Sequence, residues 1–252
     1  MKRTRALMGM TITIEVVDAK VKDADITTLF DYFISVDKVF STYKNDSEIS
    51  KLNAGQITKK QVSVDMRQIL QLADDTKKET NGYFNISHNG MIDPSGIVKG
   101  WAIYNAAVML QEKGFHNYYV DAGGDIQVAG TNGKGEPWSI GIRNPFQPDE
   151  IVKVVHLENK GIATSGLYNR GDHIYNPHKS DQPIASIASM TVIGPTVYDA
   201  DRFATAAFAM GEKGIQFIEK LPGFDGYMID ANGIATMTSR FNRFVLNDAK
   251  KD

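Results

Sequence analysis

The sequence contains no cysteine. This absence excludes disulfides, thiolate metal sites and a cysteine nucleophile. Long apolar runs are also lacking: none approaches the roughly 20 residues that a membrane helix needs, so no membrane segment is expected. The first residues, MKRTRALMGMTITIEV, have neither the apolar core nor the small-residue cleavage site of a signal peptide. We therefore expect a cytoplasmic location.

A large excess of charge of one sign is missing as well. The formal net charge is −2, which gives no reason to expect nucleic acid or an anionic membrane surface as a partner. Two phosphate-binding motifs, GK[ST] and a strand-linked G-x-G-x-x-G, are absent. Any anion site must therefore be local.

What is present predicts a globular protein. The 252 residues are 42% hydrophobic, enough to bury a substantial core. Internal repeats, low-complexity tracts and linkers are not found, so residues 1–252 are expected to form a single domain. Helical and strand patterns alternate without a regular βαβ order, which predicts an α+β fold with a largely antiparallel sheet.

The segment TVIGPTVYDADRFATAAFAMG, residues 191–211, carries the most chemistry. A strand-like run ends at Gly194-Pro195, and an amphipathic helix opens around the acidic pair Asp199 and Asp201. Asp201 and Thr205 are four residues apart, so on a helix they share one face. A carboxylate beside a hydroxyl suits Mg²⁺, although acidic residues at a helix start can also serve only as caps.

Three other stretches allow either a functional or a structural interpretation. The Gly- and Asn-rich segment after Thr80 turns helical near Val98, where a helix start and Lys99 could hold an anion, or it is a plain connector. Tyr43 could be a ring platform or a half-buried residue at a helix end. Asp121 and Asp125 flank a Gly-Gly turn and could serve only that turn.

Taken together, these stretches resemble the FAD:protein FMN transferase family, also called the ApbE family. The resemblance runs from about Met8 to Gly211 and rests on ordered matches at FSTYKNDSEISKLN, NGYFN, DPSGIVKGWA, DAGGDIQVAG, WSIGIRNP, ATSGLYNRGDHIYNP, SMTVIGP and ADRFATAAFAMG. It implies Mg²⁺-dependent transfer of FMN from FAD to a Thr or Ser hydroxyl of a target flavoprotein, with release of AMP. The spacing between Phe84 and Asp93 is short, as in a compact, cytoplasmic-type member.

The resemblance also implies site residues. Asp201 and Thr205 would bind the metal through their side chains, while Gly96 and Ala204 would contribute backbone contacts. His173 would assist deprotonation of the acceptor hydroxyl, with Asp93 or Asp125 as the fallback base. The implied FAD contacts are Met8, Tyr43, Gly82, Tyr83, Phe84, Asp93, Lys99 and Tyr175.

Two positions depart from the family pattern. Asn85 and Asn176 stand where the family usually has Asp, and each removes a negative charge near the site. If these positions only shape loops, Asn is a good substitute; if one tunes His173 or the metal, turnover would be slow. Two alternatives therefore stay open: hydrolysis of FAD to FMN and AMP, and FAD binding without catalysis.

Overall fold

The computed structural model describes residues 1–166, 174–179 and 182–245. Its main feature is an eight-stranded sheet in which every paired strand is antiparallel to its neighbour. Along the sheet, the strands are β1 (Lys2–Leu7), β2 (Met10–Val16), β5 (Tyr118–Ala122), β6 (Asp125–Ala129), β9 (Lys160–Gly166), β10 (Ile187–Gly194), β11 (Asp225–Asp230) and β12 (Ala235–Met237). The α+β fold class with a largely antiparallel sheet is confirmed.

Two hairpins lie outside this sheet, and helices complete the fold. The hairpins are β3 (Ser87–His88) with β4 (Met91–Ile92), and β7 (Trp138–Arg143) with β8 (Ile151–Leu157). The α-helices are α1 (Asp23–Phe40), α2 (Glu48–Asn53), α3 (Val64–Glu79), α4 (Ser95–Glu112), α5 (Val197–Ala209) and α6 (Gly214–Lys220). Short 3₁₀ turns follow at Gly211–Lys213 and Phe241–Phe244.

The two faces of the large sheet are covered differently. Helices α4, α5 and α6 pack on one face, and α1 packs on α4 from outside. The β7–β8 hairpin and the turn at Phe241 pack on the other face around an apolar cluster that includes Ile126, Trp138 and Ile162. The apolar stripe of α1, which recurs at helical spacing in the sequence, is buried in full from Ile26 to Phe40.

Three details differ from the sequence expectations or were not covered by them. The basic segment before Met8 is a strand, because β1 pairs with β2 around a turn in which both Met8 and Gly9 have positive φ. Helix α4 begins at Ser95 rather than near Val98. The preceding connector also contains a small hairpin, which turns at Asn89-Gly90. Within the described part of the chain, no helix is both long and apolar enough to cross a membrane.

Candidate functional site

The candidate site begins at the start of α5. Strand β10 ends at Gly194, and the Thr196 hydroxyl accepts a hydrogen bond from Asp199 N at 3.1 Å, which caps the helix. Asp199 belongs to this cap and also pairs with Arg202 at 2.9 Å. Asp201 lies two residues further along the helix and is only 3% exposed. The two aspartates therefore have different roles, one at the cap and one in the interior.

Helices α4 and α5 contact each other at two points one helical turn apart. Gly96 and Gly100 of α4 lie opposite Thr205 and Asp201 of α5. Gly100 N donates a hydrogen bond to Asp201 Oδ2 at 2.7 Å, and Thr205 Oγ1 lies 3.4 Å from the carbonyl oxygen of Gly96. A Cβ on Gly100 would lie 2.6 Å from Asp201 Cβ and 2.8 Å from the carbonyl oxygen of Val197. The absence of a side chain on Gly100 therefore allows this close approach.

A cluster of buried charges lies beside this helix contact. Lys99 Nζ is 2.6 Å from Asp125 Oδ2 and 3.9 Å from Asp201 Oδ1. Asp125 Oδ1 accepts a hydrogen bond from Thr164 N at 3.0 Å, which links β6 to β9. Burial raises the pKa of Asp201 to about 7; the Lys99 charge opposes this rise and the Asp125 charge adds to it.

The cluster forms one end of a cavity of about 1070 Å³. Such a volume is at the upper end of the range for small-molecule sites. Ten of the predicted site residues line it: Met8, Tyr43, Tyr83, Phe84, Asp93, Gly96, Lys99, Tyr175, Asp201 and Thr205. Residues from distant parts of the chain are thus brought together around one space.

Of the other three predicted residues, two are described and neither lines this cavity. Gly82 has a φ of +83° and contacts His178, with its would-be Cβ 3.4 Å from that ring. Ala204 is fully buried between the metal candidates Asp201 and Thr205. Neither borders the cavity. His173, the predicted base, lies outside the described residues.

One cavity wall is built from aromatic residues. The Tyr175 hydroxyl donates to the carbonyl oxygens of Asn85 and Ser87, at 3.1 and 2.9 Å, and its ring lies 4.1 Å from that of His88. Tyr83 meets His178 edge-on with ring centroids 4.5 Å apart. These contacts fasten residues 174–179 to the segment after α3. By contrast, Tyr43 is 89% exposed at the cavity's edge.

Both asparagines that depart from the family pattern are used in local turns. Asn85 Oδ1 accepts from Ser87 N at 3.1 Å, and Asn176 Oδ1 accepts from His178 N at 2.9 Å. Each is a bond that an aspartate oxygen would make equally well. The geometry therefore favours a loop-shaping role for the two positions.

The oxygen donors near Thr205 fit Mg²⁺ by their chemistry. The Asp201 carboxylate, the Thr205 hydroxyl and the Gly96 carbonyl are all hard ligands. In the described ranges, no group of three His, Cys, Asp or Glu side chains is placed to hold a metal. Mg²⁺ accepts such a sparse protein site, because it usually keeps water and substrate phosphate as its other ligands.

Sequence reasoning missed two residues of β9. Ser165 Oγ lies 3.4 Å from Thr205 Oγ1, and the Thr164 hydroxyl is 2.8 Å from that of Thr191. Both also line the cavity. Their segment contributed to the family resemblance through ATSGLYNRGDHIYNP, but neither hydroxyl was assigned a role. Small hydroxyl residues in a strand give little indication of function until a partner helix is placed above them.

Fold and site together define an α+β protein whose large cavity ends at an acidic, oxygen-rich cleft between two helices. The chain belongs to the ApbE family, whose model matches residues 8–93 and 87–228. The family resemblance inferred from the sequence is confirmed.

Relatives and solved structures agree with this assignment. The chain is 31% identical over 170 residues to a FAD:protein FMN transferase of Klebsiella pneumoniae, a match that covers 62% of this chain and 48% of the relative. A transferase of the same name from Haemophilus influenzae is 35% identical over 158 residues, which cover 58% and 45%. The matched region thus spans about half the length of these curated relatives.

Two solved structures show the same fold. The ApbE protein of Thermotoga maritima matches with a TM-score of 0.86 at 20% identity, covering 98% of this chain and 99% of that one. The flavin transferase ApbE from Vibrio cholerae matches with a TM-score of 0.83 at 24% identity, covering 97% and 99%. At these sequence identities, the structural similarity shows the fold alone.

Proposed function

We propose that this protein transfers FMN from FAD to a Thr or Ser hydroxyl of a target flavoprotein, depends on Mg²⁺ and releases AMP. Family membership supports the reaction class. The observation that carries the proposal is the helix contact at the end of the large cavity, where Asp201 and Thr205 of α5 face Gly100 and Gly96 of α4. The cytoplasmic location stays a prediction.

Asp201, Thr205 and the Gly96 carbonyl would hold the metal, with Ala204 setting the backbone between the two side chains. Bound there, Mg²⁺ would neutralise charge on the FAD diphosphate and polarise the phosphorus under attack. Asp201 ionises most readily when a cation is near, because its carboxylate is otherwise buried next to Asp125. The protein thus supplies a site that favours a cation.

The cavity residues divide by chemistry. The positively charged Lys99 side chain lines the cavity 3.9 Å from Asp201 and would face the diphosphate. Met8 and the exposed Tyr43 offer apolar and aromatic surface for the flavin ring. Tyr83, Phe84 and Tyr175 offer aromatic surface for the nucleotide, and Asp93 lines the same cavity. Gly82 would act from behind this wall, where it lies beside His178.

For the base, we favour His173. The fallback candidates are less suitable because their carboxylates are engaged: Asp125 contacts Lys99 and Thr164 N, and Asp93 Oδ1 accepts from Ser95 N at 2.9 Å. A histidine has a reference pKa of about 6.5 and can accept a proton at neutral pH.

In the proposed reaction, the acceptor oxygen forms a bond to the phosphorus on the riboflavin side of FAD. The bond from that phosphorus to the bridging oxygen breaks, and AMP leaves with that oxygen. The hydroxyl proton passes to the base. Little covalent work falls to the protein, which aligns the groups and stabilises charge.

The test is incubation with FAD and Mg²⁺, with and without a flavoprotein domain bearing an acceptor threonine. AMP release is followed by chromatography and the acceptor by intact mass. We expect Mg²⁺-dependent AMP and an acceptor heavier by one FMN. AMP and free FMN without an adduct, across several acceptor domains, would indicate hydrolysis instead; intact bound FAD would indicate a binding protein.

The base assignment needs its own variant. His173→Ala should slow transfer by about 10² to 10⁴, the usual contribution of a general base, with FAD affinity unchanged. An equal loss of FAD affinity would reassign His173 to binding.

A further inference from the structure

A second cavity, of about 480 Å³, lies on the other side of the charge cluster. It is bounded by the β5–β6 turn and by strand β7, of which residues 139–143 line it in succession. Gly123 and Thr164 border both this space and the large cavity. Asp125 lines the second cavity while its Oδ2 contacts Lys99, which lines the first. The two spaces are therefore separated by little more than one residue.

The walls of the second cavity suit an extended polypeptide. In the described ranges, β7 pairs with β8 on one side only, so its other edge has no strand neighbour. An unpaired edge can add an extended segment through backbone hydrogen bonds. Gly124 leaves backbone without a side chain along the cavity, because no atom lies within 4 Å of its Cβ position.

Exposed apolar side chains lie on the same hairpin. Ile151 is 48% exposed and Val154 44%, and both line the second cavity. Phe146, in the β7–β8 loop, is also exposed and lies 3.8 Å from the Cβ position of Gly233, next to exposed Ile234. We call these four side chains the hairpin surface. Two of the four line the second cavity, and exposed apolar side chains beside a cavity are typical of a protein interaction site.

We propose that the acceptor flavoprotein docks on the hairpin surface and lays its hydroxyl-bearing segment along the second cavity. The hydroxyl would then reach the phosphorus beside Gly123 and Thr164, which border both cavities, while FAD fills the large cavity. An attacking oxygen and a leaving group must be roughly in line across the phosphorus, which requires the acceptor and AMP to approach from different sides. This inference rests on the proposed transferase function.

The test uses the double variant I151E/V154E. Both side chains are exposed, so the charges should not disturb folding. Val64, 70% exposed on α3, provides the matched control V64E. With a flavoprotein domain that the wild-type protein flavinylates, the double variant should raise KM for the domain about tenfold or more, as expected when central apolar contacts are lost. FAD affinity and acceptor-independent AMP release should match the wild type.

A second comparison separates the hairpin surface from the cavity. Ser139 faces the second cavity from β7, so S139W should narrow that space. A short peptide spanning the acceptor threonine would use the cavity without the hairpin surface. We expect S139W to raise KM for both the peptide and the domain, whereas I151E/V154E should affect the domain alone.

Each failure has its own pattern. If the wild-type protein flavinylates the domain and the double variant does so with unchanged KM, the docking proposal is overturned and the transferase stands. A loss of similar size in V64E, or a loss of FAD affinity in the double variant, also overturns it. If the wild-type protein turns over FAD but modifies no domain or peptide, both proposals fail together.

Discussion

The two faces of strand β6 show how differently the two sides of the sheet are used. Asp125 and Gln127 point to the helices, where they contact Lys99 and the start of α5. Ile126 and Val128, between and after them, pack in the apolar cluster under the β7–β8 hairpin. Because side chains alternate along a strand, the polar residues of β6 lie on the helix side of the sheet and the apolar residues lie on the hairpin side.

The helix side is built from polar groups that are buried with their partners. Gln127 is an example: its Oε1 accepts from Val197 N at 2.7 Å, and its Nε2 donates to the carbonyl oxygen of Lys160 at 3.1 Å. A side chain on Gly161 would collide with the backbone of Val197. Contacts with Gln127 and Gly161 of the sheet therefore fix the start of α5, and with it Asp201 one turn later. The hairpin side depends on apolar area, so its interior should tolerate change with loss of stability alone.

Removing Asp201, the proposed metal carboxylate, should give the largest difference between the two sides. Asp201→Ala is expected to lower Mg²⁺-dependent AMP release by more than about 100-fold, since even outer partners of metal ligands contribute about 10- to 100-fold. Steady-state AMP release against Mg²⁺ concentration measures it. The control is Asp199→Ala, which removes a cap and an ion pair on the same helix but should keep Mg²⁺ dependence. Unchanged turnover in the Asp201 variant would remove it from the metal site.

Separating the two helices should be the next largest effect. Gly100→Ala places a Cβ 2.6 Å from Asp201 Cβ, so α4 and α5 must move apart. We expect a loss of about 1–3 kcal/mol in the free energy of unfolding, as for other overpacked sites, together with weaker Mg²⁺ dependence. Urea unfolding and Mg²⁺ titration measure the two. Gly133→Ala is the matched control, because no atom lies within 4 Å of its Cβ position; equal behaviour of both variants would contradict the prediction.

Sequence patterns predicted the elements of the fold well where burial is one-sided. The α1 stripe, the Gly123-Gly124 hairpin and the strand ending at Gly194 all follow from local periodicity and turn chemistry. Strand β1 was missed because its side chains are almost all exposed, so it shows no apolar alternation and exists through pairing with β2. The position of the β7–β8 hairpin across the sheet depends on tertiary packing that no local pattern records.

The site was predicted unevenly for the same reason. Asp201 and Thr205 could be paired from their spacing on one helix, and family resemblance supplied the other cavity residues. The role of Gly100 could not be predicted, since it depends on how closely α5 approaches α4. Asp125 could be interpreted only as a turn residue or fallback base, because its contact with Lys99 joins segments 26 residues apart in sequence order. The roles of the individual site residues stay predictions.

The buried Asp201 should make the metal-free protein less stable as pH rises. Its pKa is about 7 in the folded protein against a reference value of 3.8, so between these values the folded state holds the additional proton. The free energy of unfolding then falls with rising pH in this window, by at most about 1.4 kcal/mol per unit from this group. Urea unfolding with EDTA from pH 4 to 8 would show the slope.

Asp201→Asn provides the comparison for that slope. An amide oxygen can still accept the hydrogen bond from Gly100 N but carries no charge. Between pH 4 and 7 the variant should lose stability less steeply than the wild type, and near pH 8 it should be the more stable of the two without metal. A wild-type slope retained in the variant would assign the effect to another group.

The smallest effect on Mg²⁺ dependence should come from two neighbouring residues of β6. Gln127→Met leaves Val197 N buried without its acceptor and should lower the free energy of unfolding by about 1–3 kcal/mol, while Ile126→Val should lower it by about 0.5–1.5 kcal/mol. The two variants should differ more clearly in their dependence on Mg²⁺ concentration. Because Gln127 holds the start of α5, its variant should need a higher Mg²⁺ concentration for half-maximal AMP release, whereas the Ile126 variant should match the wild type. If both shift that midpoint equally, the two faces of the sheet are not separated in function.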